Sequence, residues 1–254
     1  MFNTFFYNPI YNLVVFLLNY ISDAGFVIII ATLIIKFILF PFYKKQIKAQ
    51  IATKKAKPEM DAIKKKYGKS PEDKQKMMME TMAIYKKYDI KPFASIFILA
   101  IQMPIIIALY WVFAKGGLPQ INSNILYSFV SVPKDISMFF LGIIDLTKTN
   151  IVLAAIAGLS QYAYSHITMK DVSFKDPFKE TESNNKEKDF KKTLKDDMSK
   201  SFKSSLKYGM PVFIFILLST VLNSVVAIYW ITSNLFQVMQ EYLVRNEKEE
   251  MKNV

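Results

Sequence analysis

The apolar positions of this chain gather into runs, and one of them, GFVIIIATLIIKFILFP at 25–41, carries a full charge, Lys36, inside it. Such a run reads as a helix able to cross a hydrocarbon layer of about 30 Å. Further runs occupy 93–114 and 151–169, a shorter one lies at 208–222, and a last at 225–244 follows after Asn223 and Ser224 alone. Across 1–23, Phe6, Ile10, Leu13, Leu17 and Ile21 fall at helical spacing, while Asn8, Asn12, Asn19 and Asp23 cluster within about 60° on a 3.6-residue wheel. That pattern predicts an interfacial amphipathic helix, and its lack of lysine suits the outer leaflet. The apolar stretch at 136–146 is shorter than the ~20 residues a spanning helix needs and is expected to form an interfacial helix.

Between the first two runs, 44–91 is polar and lysine-rich with thin apolar stripes. Gly68 suits a helix end, and Ser70, Pro71, Glu72 and Asp73 read as N-cap, first-turn proline and acidic first turn of a second helix. Met60, Ile63 and Tyr67 mark the stripe of the first helix, and Met78, Met82, Tyr85 and Tyr88 that of the second. The stripes read either as the contact within a helical hairpin or as a face for a partner. Pro58 is expected to kink the first helix or to start its second half.

Lysine placement sets the topology. The blocks 44–91, 170–207 and 245–254 hold 29 of the 33 Lys and Arg residues. With five spans all three blocks fall on one face, as the excess of positive charge in cytoplasmic loops requires. The expected fold is therefore an all-α polytopic membrane protein with five transmembrane helices, an N-terminal interfacial amphipathic helix and a cytoplasmic helical hairpin. In order these are the interfacial helix 1–23, span one 24–43, the hairpin 44–91, span two 92–115, an extracytoplasmic segment 116–149, span three 150–169, a flexible basic loop 170–207, span four 208–222, span five 225–244 and a tail 245–254. The N-terminus is expected outside and the C-terminus in the cytoplasm. No cleavable signal is evident at the N-terminus, so the first spans are expected to direct insertion.

Composition narrows the chemistry. Hydrophobic residues make up 52% of 254 positions and the formal charge is +12, but the distribution of lysines says more than their total. Without cysteine there is neither a disulfide framework nor a thiolate metal site. One histidine, His166, excludes a two-histidine zinc site and reads as an interfacial polar residue. No phosphate-binding loop of the G-x-x-x-x-G-K-[ST] type occurs, and no span carries Asp or Glu at depth, which argues against ATP hydrolysis and proton- or sodium-coupled transport. No catalytic residue, cofactor or metal is expected.

A lysine at mid-membrane is costly, roughly 2.5–3.5 kcal/mol on insertion scales. Lys36 could snorkel toward the interface, since Phe42 lies six residues on, about 9 Å along a helix. It could equally face a polar cavity. Gln102, Gln161, Thr232, Ser233, Asn234 and Gln237 lie inside other spans, and each alone reads as an interhelical hydrogen bond. Together with Lys36 they suggest a hydrated recess, which a passive guiding device or a channel or small-solute transporter would use.

Several motifs carry a resemblance. KPFASIFILAIQMPIIIALYWVF resembles the second core span of the YidC/Oxa/Alb membrane protein insertases, and KYGMP followed by AIYWITSNLFQVMQEYL resembles their last two spans. TLIIKFILFPFYKKQIKAQ and the 57–92 stretch resemble the first core span and the cytoplasmic hairpin. The resemblance implies an insertase whose spans enclose a hydrophilic groove, open to cytoplasm and lipid, that takes hydrophobic segments and short polar tails of nascent proteins into the bilayer without ATP. The groove's basic residue corresponds to Lys36, where the family usually has arginine, and the motif adds Tyr229 and Trp230 to Gln102, Gln161, Ser233, Asn234 and Gln237 as groove residues. Implied partners are nascent membrane proteins and the lipid bilayer, with the ribosome, the Sec translocon or a targeting receptor as further contacts, and a monomer as the working unit. The chain is expected to be the minimal form, without a large periplasmic domain.

Overall fold

The computed structural model describes residues 1–68, 70–90, 94–114 and 118–169 together with 205–250. Most of the expected basic loop, 170–204, and the end of the tail, 251–254, lie outside the described residues. The described residues form helices and one two-stranded ribbon, joined by turns and irregular segments. After a π-helical turn, Asn3–Tyr7, come α1 (Asn8–Leu18), α2 (Ala24–Lys66), α3 (Pro71–Lys87), α4 (Ala94–Ala114), β1 (Phe139–Phe140), β2 (Ile144–Asp145) and α5 (Ile151–Met169). A second π-helical turn, Ser205–Gly209, leads into α6 (Met210–Thr220), and α7 (Ser224–Glu250) closes the chain.

One helix among the described residues, α2, is long and apolar enough to cross a bilayer, and Ile101–Phe113 and Lys207–Thr220 are shorter apolar helices. Sequence reading divides 24–91 at residue 43, with a further kink or start at Pro58. The structure runs a single helix of 43 residues, Ala24–Lys66, through both Pro41 and Pro58. Each proline removes one backbone hydrogen bond, yet the flanking turns on both sides hold the helix together. Asp23 starts it by accepting from the amides of Gly25 (2.8 Å) and Phe26 (3.4 Å) through Oδ1. Ser70 starts α3 in the same way by accepting from the amide of Asp73 at 3.1 Å, with Pro71 inside the first turn.

The segment expected to carry an interfacial helix at 136–146 is a ribbon instead. Phe140 pairs with Ile144 and Phe139 with Asp145, and Leu141 and Gly142 turn the chain with φ of +55° and +71°. Eleven residues with a glycine near the middle form a turn more readily than a helix. This segment ties three helix starts together. Ala24 donates to Ser137 O at 3.0 Å, Ser224 donates to Lys148 O at 2.8 Å, and Asn150 Oδ1 accepts from the amides of Val152 (2.9 Å) and Leu153 (3.1 Å). Helices α2, α5 and α7 therefore set out from one polar cap.

Helix α1 packs under the same cap, with Tyr11, Val14, Val15 and Leu18 buried in the main core. Of its polar side, Asn12 alone is buried, while Asn19 stays exposed and Asn8 and Asp23 half-exposed. Asn12 is 2% exposed, donates to Ile125 O at 2.9 Å and accepts from the Tyr127 amide at 2.7 Å, while the Tyr11 hydroxyl accepts from the Asn122 amide at 2.7 Å. Asn12, Asn19 and Tyr11 thus tie α1 to the backbone of 122–131, at Asn122, Ile125, Tyr127 and Ser131. Helix α7 packs along α2 and α5, and α6 approaches α5 closely at Gly158, where a Cβ would sit 3.3 Å from Pro211 O.

Candidate functional site

Lys36 is 2% exposed. Its Nζ donates to the Tyr43 hydroxyl and to Gln102 Oε1, both at 3.1 Å, and lies 4.7 Å from the centre of the Tyr43 ring. The Tyr43 hydroxyl in turn donates to Gln102 Oε1 at 2.8 Å, and Gln102 Nε2 donates to the Tyr229 hydroxyl. Helices α2, α4 and α7 thus meet on one buried cation held by an amide and hydroxyl oxygens. The ammonium does not snorkel; it turns inward. Its hydrogen-bond partners are neutral: a phenol and an amide.

Of the residues singled out from sequence, the structure brings Lys36, Gln102 and Tyr229 together. Gln161, Trp230 and Asn234 form a different network between α5 and α7. Trp230 Nε1 donates to Gln161 Oε1 at 2.8 Å, and Asn234 Nδ2 donates to Ser160 Oγ (3.0 Å) and Gln161 Oε1 (3.2 Å). Gln161 Nε2 reaches Ser165 Oγ at 3.3 Å. Asn234 and Ser165 are buried, so this second network is a closed interhelical tie. Ser233, also buried, accepts from Gln237 Nε2 at 3.3 Å, and Thr232 bonds back to Ile228 O at 2.8 Å within α7.

Sequence reading missed Tyr43, although it lies seven residues after Lys36 and so on the same face two turns along. It also missed Gln240 and Glu241. Both are buried in the C-terminal half of α7, where Glu241 Oε1 accepts from Arg245 Nε (3.0 Å) and Nη2 (2.6 Å), and the Gln240 side chain has no hydrogen-bond partner among the described residues. Gln240 continues the stripe of Ser233 and Gln237 at helical spacing, a signal the sequence contained.

The hairpin of α2 and α3 buries Ala52, Ala56, Ile63, Ile84 and Ile90, with Met60, Tyr67, Met77, Tyr85 and Tyr88 packed around them. Met78 and Met82, expected in this contact, point away and are more than half exposed, because Ile84 and Met77 take the facing positions. Two glutamates bridge the helices. Glu59 accepts from Lys87 (2.7 Å) and Tyr88 (2.6 Å), and Glu80 accepts from Lys66 (2.7 Å) and Tyr67 (2.5 Å). The lysine hydrogen bonds, then those of the tyrosines, hold both carboxyls below the ordinary glutamate range.

A bundle of apolar helices with a lysine buried among neutral polar groups defines a membrane protein with an interior polar site. Residues 16–252 match the family model of the 60Kd inner membrane protein, and the chain belongs to that family, the YidC/Oxa/Alb membrane protein insertases. It is 32% identical over 222 residues to a "Membrane protein insertase YidC" of Clostridium tetani, covering 87% of this chain and 81% of that protein. Another of that name, from Alkalihalophilus pseudofirmus, is 28% identical over 255 positions, covering 98% and 84%. A third, from Pseudoalteromonas atlantica, is 40% identical over 101 residues, which is 40% of this chain and 18% of that protein.

Proposed function

We propose that this chain is an insertase and chaperone that moves hydrophobic segments and short polar tails of nascent membrane proteins from the cytoplasm into the bilayer, with Lys36 as the charge that draws in the tail. The observation that carries this reading is a single ammonium buried where three helices meet and bonded to neutral oxygens alone. A carboxylate arriving within about 4 Å of it gains about 4 kcal/mol at an effective dielectric near 20. Tyr43, Gln102 and Tyr229 receive the tail's polar groups, and the apolar part of the substrate slides into lipid, driven by hydrophobic partition. No nucleotide enters this scheme.

Five spans, with the N-terminus outside and the C-terminus in the cytoplasm, fit this reading. The common origin of α2, α5 and α7 at one polar cap supports it, as does the gathering of lysines at the opposite ends. The apolar helix Lys207–Thr220 that contains α6 has 14 residues, about 21 Å of rise. A helix that short thins the bilayer beside it and shortens the polar path. The hairpin of α2 and α3 stands in the cytoplasm, where it receives substrate.

The test replaces Lys36 with Arg, Gln and Glu and follows insertion of a single-span substrate with an acidic outer tail in cells depleted of the native protein. Arg should sustain insertion, Gln should reduce it, and Glu should block it. Insertion by the Lys36→Glu variant at the parent's level would overturn the reading. Solute flux through the purified protein in liposomes would favour a channel instead.

A further inference from the structure

The ribbon at 139–145 is apolar and outward-facing. Ile143 is 82% exposed, Leu141 57% and Phe139 50%. No charged residue occurs between Asp135 and Asp145, so the tip of the ribbon is uncharged throughout. Leu141 holds φ +55°, a left-handed conformation that glycine or asparagine adopts at lower cost. A leucine kept there, with its side chain in the open, points to a partner for that side chain.

The ribbon lies beside the start of α2, not above it. Asp23 caps α2 with Oδ1 while its Oδ2 accepts from the Leu141 amide at 2.9 Å, and Asp23 forms a parallel bridge with Ser137. The Phe140 ring lies 5.3 Å from that of Phe26, edge to face, one turn into the helix. Gly25 leaves room for this approach, since a Cβ there would fall 2.2 Å from Phe140 Cδ2. The half-exposed Phe26 therefore continues into Phe140, Phe139 and Ile143 as one apolar surface on the flank of the span. Behind the tip, Asp145 accepts from the Thr147 hydroxyl (2.6 Å) and amide (2.9 Å) and from Lys148 (3.1 Å), bonds that hold its carboxyl below the usual range. Asp145 and Lys148 thus pair behind the tip, while Asp23 meets it only through the Leu141 backbone amide.

We infer that the tip of this ribbon, Leu141, Ile143 and Phe139, inserts between lipids of the outer leaflet beside α2 and fixes the depth of the cap in the membrane. The occupant is the acyl and glycerol region of the bilayer, because the tip is level with the N-cap of a spanning helix and continuous with that helix's lipid-facing side. Aromatic and aliphatic groups at such a boundary anchor a membrane protein against vertical movement.

The chain has no cysteine, so single labels are clean. Ile143→Cys, Ile38→Cys on the exposed face of α2 and Glu72→Cys on the cytoplasmic hairpin are each given a nitroxide. Each is reconstituted in vesicles of phosphatidylethanolamine and phosphatidylglycerol. The ratio of oxygen to water-soluble nickel-chelate accessibility at position 143 should match that at 38 and exceed that at 72 several-fold. A ratio at 143 equal to that at 72 would overturn the inference. Low access to both reagents with spin coupling that fades on dilution with unlabelled protein would assign the tip to a second copy, and would overturn it as well. Ile143 makes little contact with the fold, so the label reads lipid without disturbing the structure, and its result is independent of whether substrate is inserted.

Discussion

Replacing Lys36 with methionine should make the protein more stable and less active. A lysine at mid-membrane costs roughly 2.5–3.5 kcal/mol. Against this, two hydrogen bonds return about 0.6 kcal/mol each on the membrane average, and the contact with the Tyr43 ring returns about 0.5–1 kcal/mol. The balance leaves about 1 kcal/mol unrecovered by the same averages. Methionine keeps the apolar stem and removes the charge. It strands no partner, since Gln102 Oε1 still accepts from the Tyr43 hydroxyl at 2.8 Å and Gln102 Nε2 still donates to Tyr229. Lys36→Met should thus gain about 1 kcal/mol in reversible unfolding by SDS in mixed micelles, followed by circular dichroism. The same variant should lose insertion of an acidic-tailed substrate, the usual exchange of function for stability at a charged site. A variant that is less stable than the parent by about 1 kcal/mol or more would refute the reasoning, because the lysine would then be a structural tie.

The second polar network should behave in the opposite way. In a double-mutant cycle of Gln161→Leu and Trp230→Phe, the coupling energy should be about 0.6–1.7 kcal/mol, and the intact pair should favour the folded state; zero coupling in the same unfolding assay would show that the network does not tie α5 to α7. The hairpin should respond to pH through Glu59 and Glu80. Their folded-state values are lowered by their lysine and tyrosine partners, so their stabilisation is full above the ordinary glutamate range and is lost as pH falls through the lowered values. Lys66 and Lys87 are raised by the same bonds to Glu80 and Glu59, so their share is lost only as pH climbs past the ordinary lysine range. Spin-label distances between α2 and α3 should widen on acidification, and Glu59→Gln with Glu80→Gln should flatten that response.

How the sequence encodes this protein varies by element. Long apolar runs and capping residues suffice for α3, α4, α5 and α7, since Ser70 and Asn150 signal their helices through side-chain chemistry that acts within three residues. The union of span one with the hairpin was hidden, because a proline states what one residue loses and not what its neighbours retain. The ribbon at 139–145 was hidden too; apolar runs of that length do not distinguish a turn from a short helix. Helix rotation explains the divided site. Tyr229 and Trp230 are adjacent in sequence but about 100° apart around α7, so Tyr229 meets Gln102 while Trp230 meets Gln161. Which polar residues share a site depends on which helix each of those directions meets, and that information lies more than 60 residues away in the chain.

The unbroken course of α2 makes it a lever. Its 43 residues extend about 64 Å, with Lys36 about 18 Å from the end held by Asp23. A rigid tilt of about 10° about that end shifts Lys36 by about 3 Å and Lys66 by about 11 Å. A rigid displacement of the hairpin end is therefore smaller in amplitude at Lys36 than at Lys66. A tilt of α2 as one body about Asp23 would move Lys36 against Gln102 on α4.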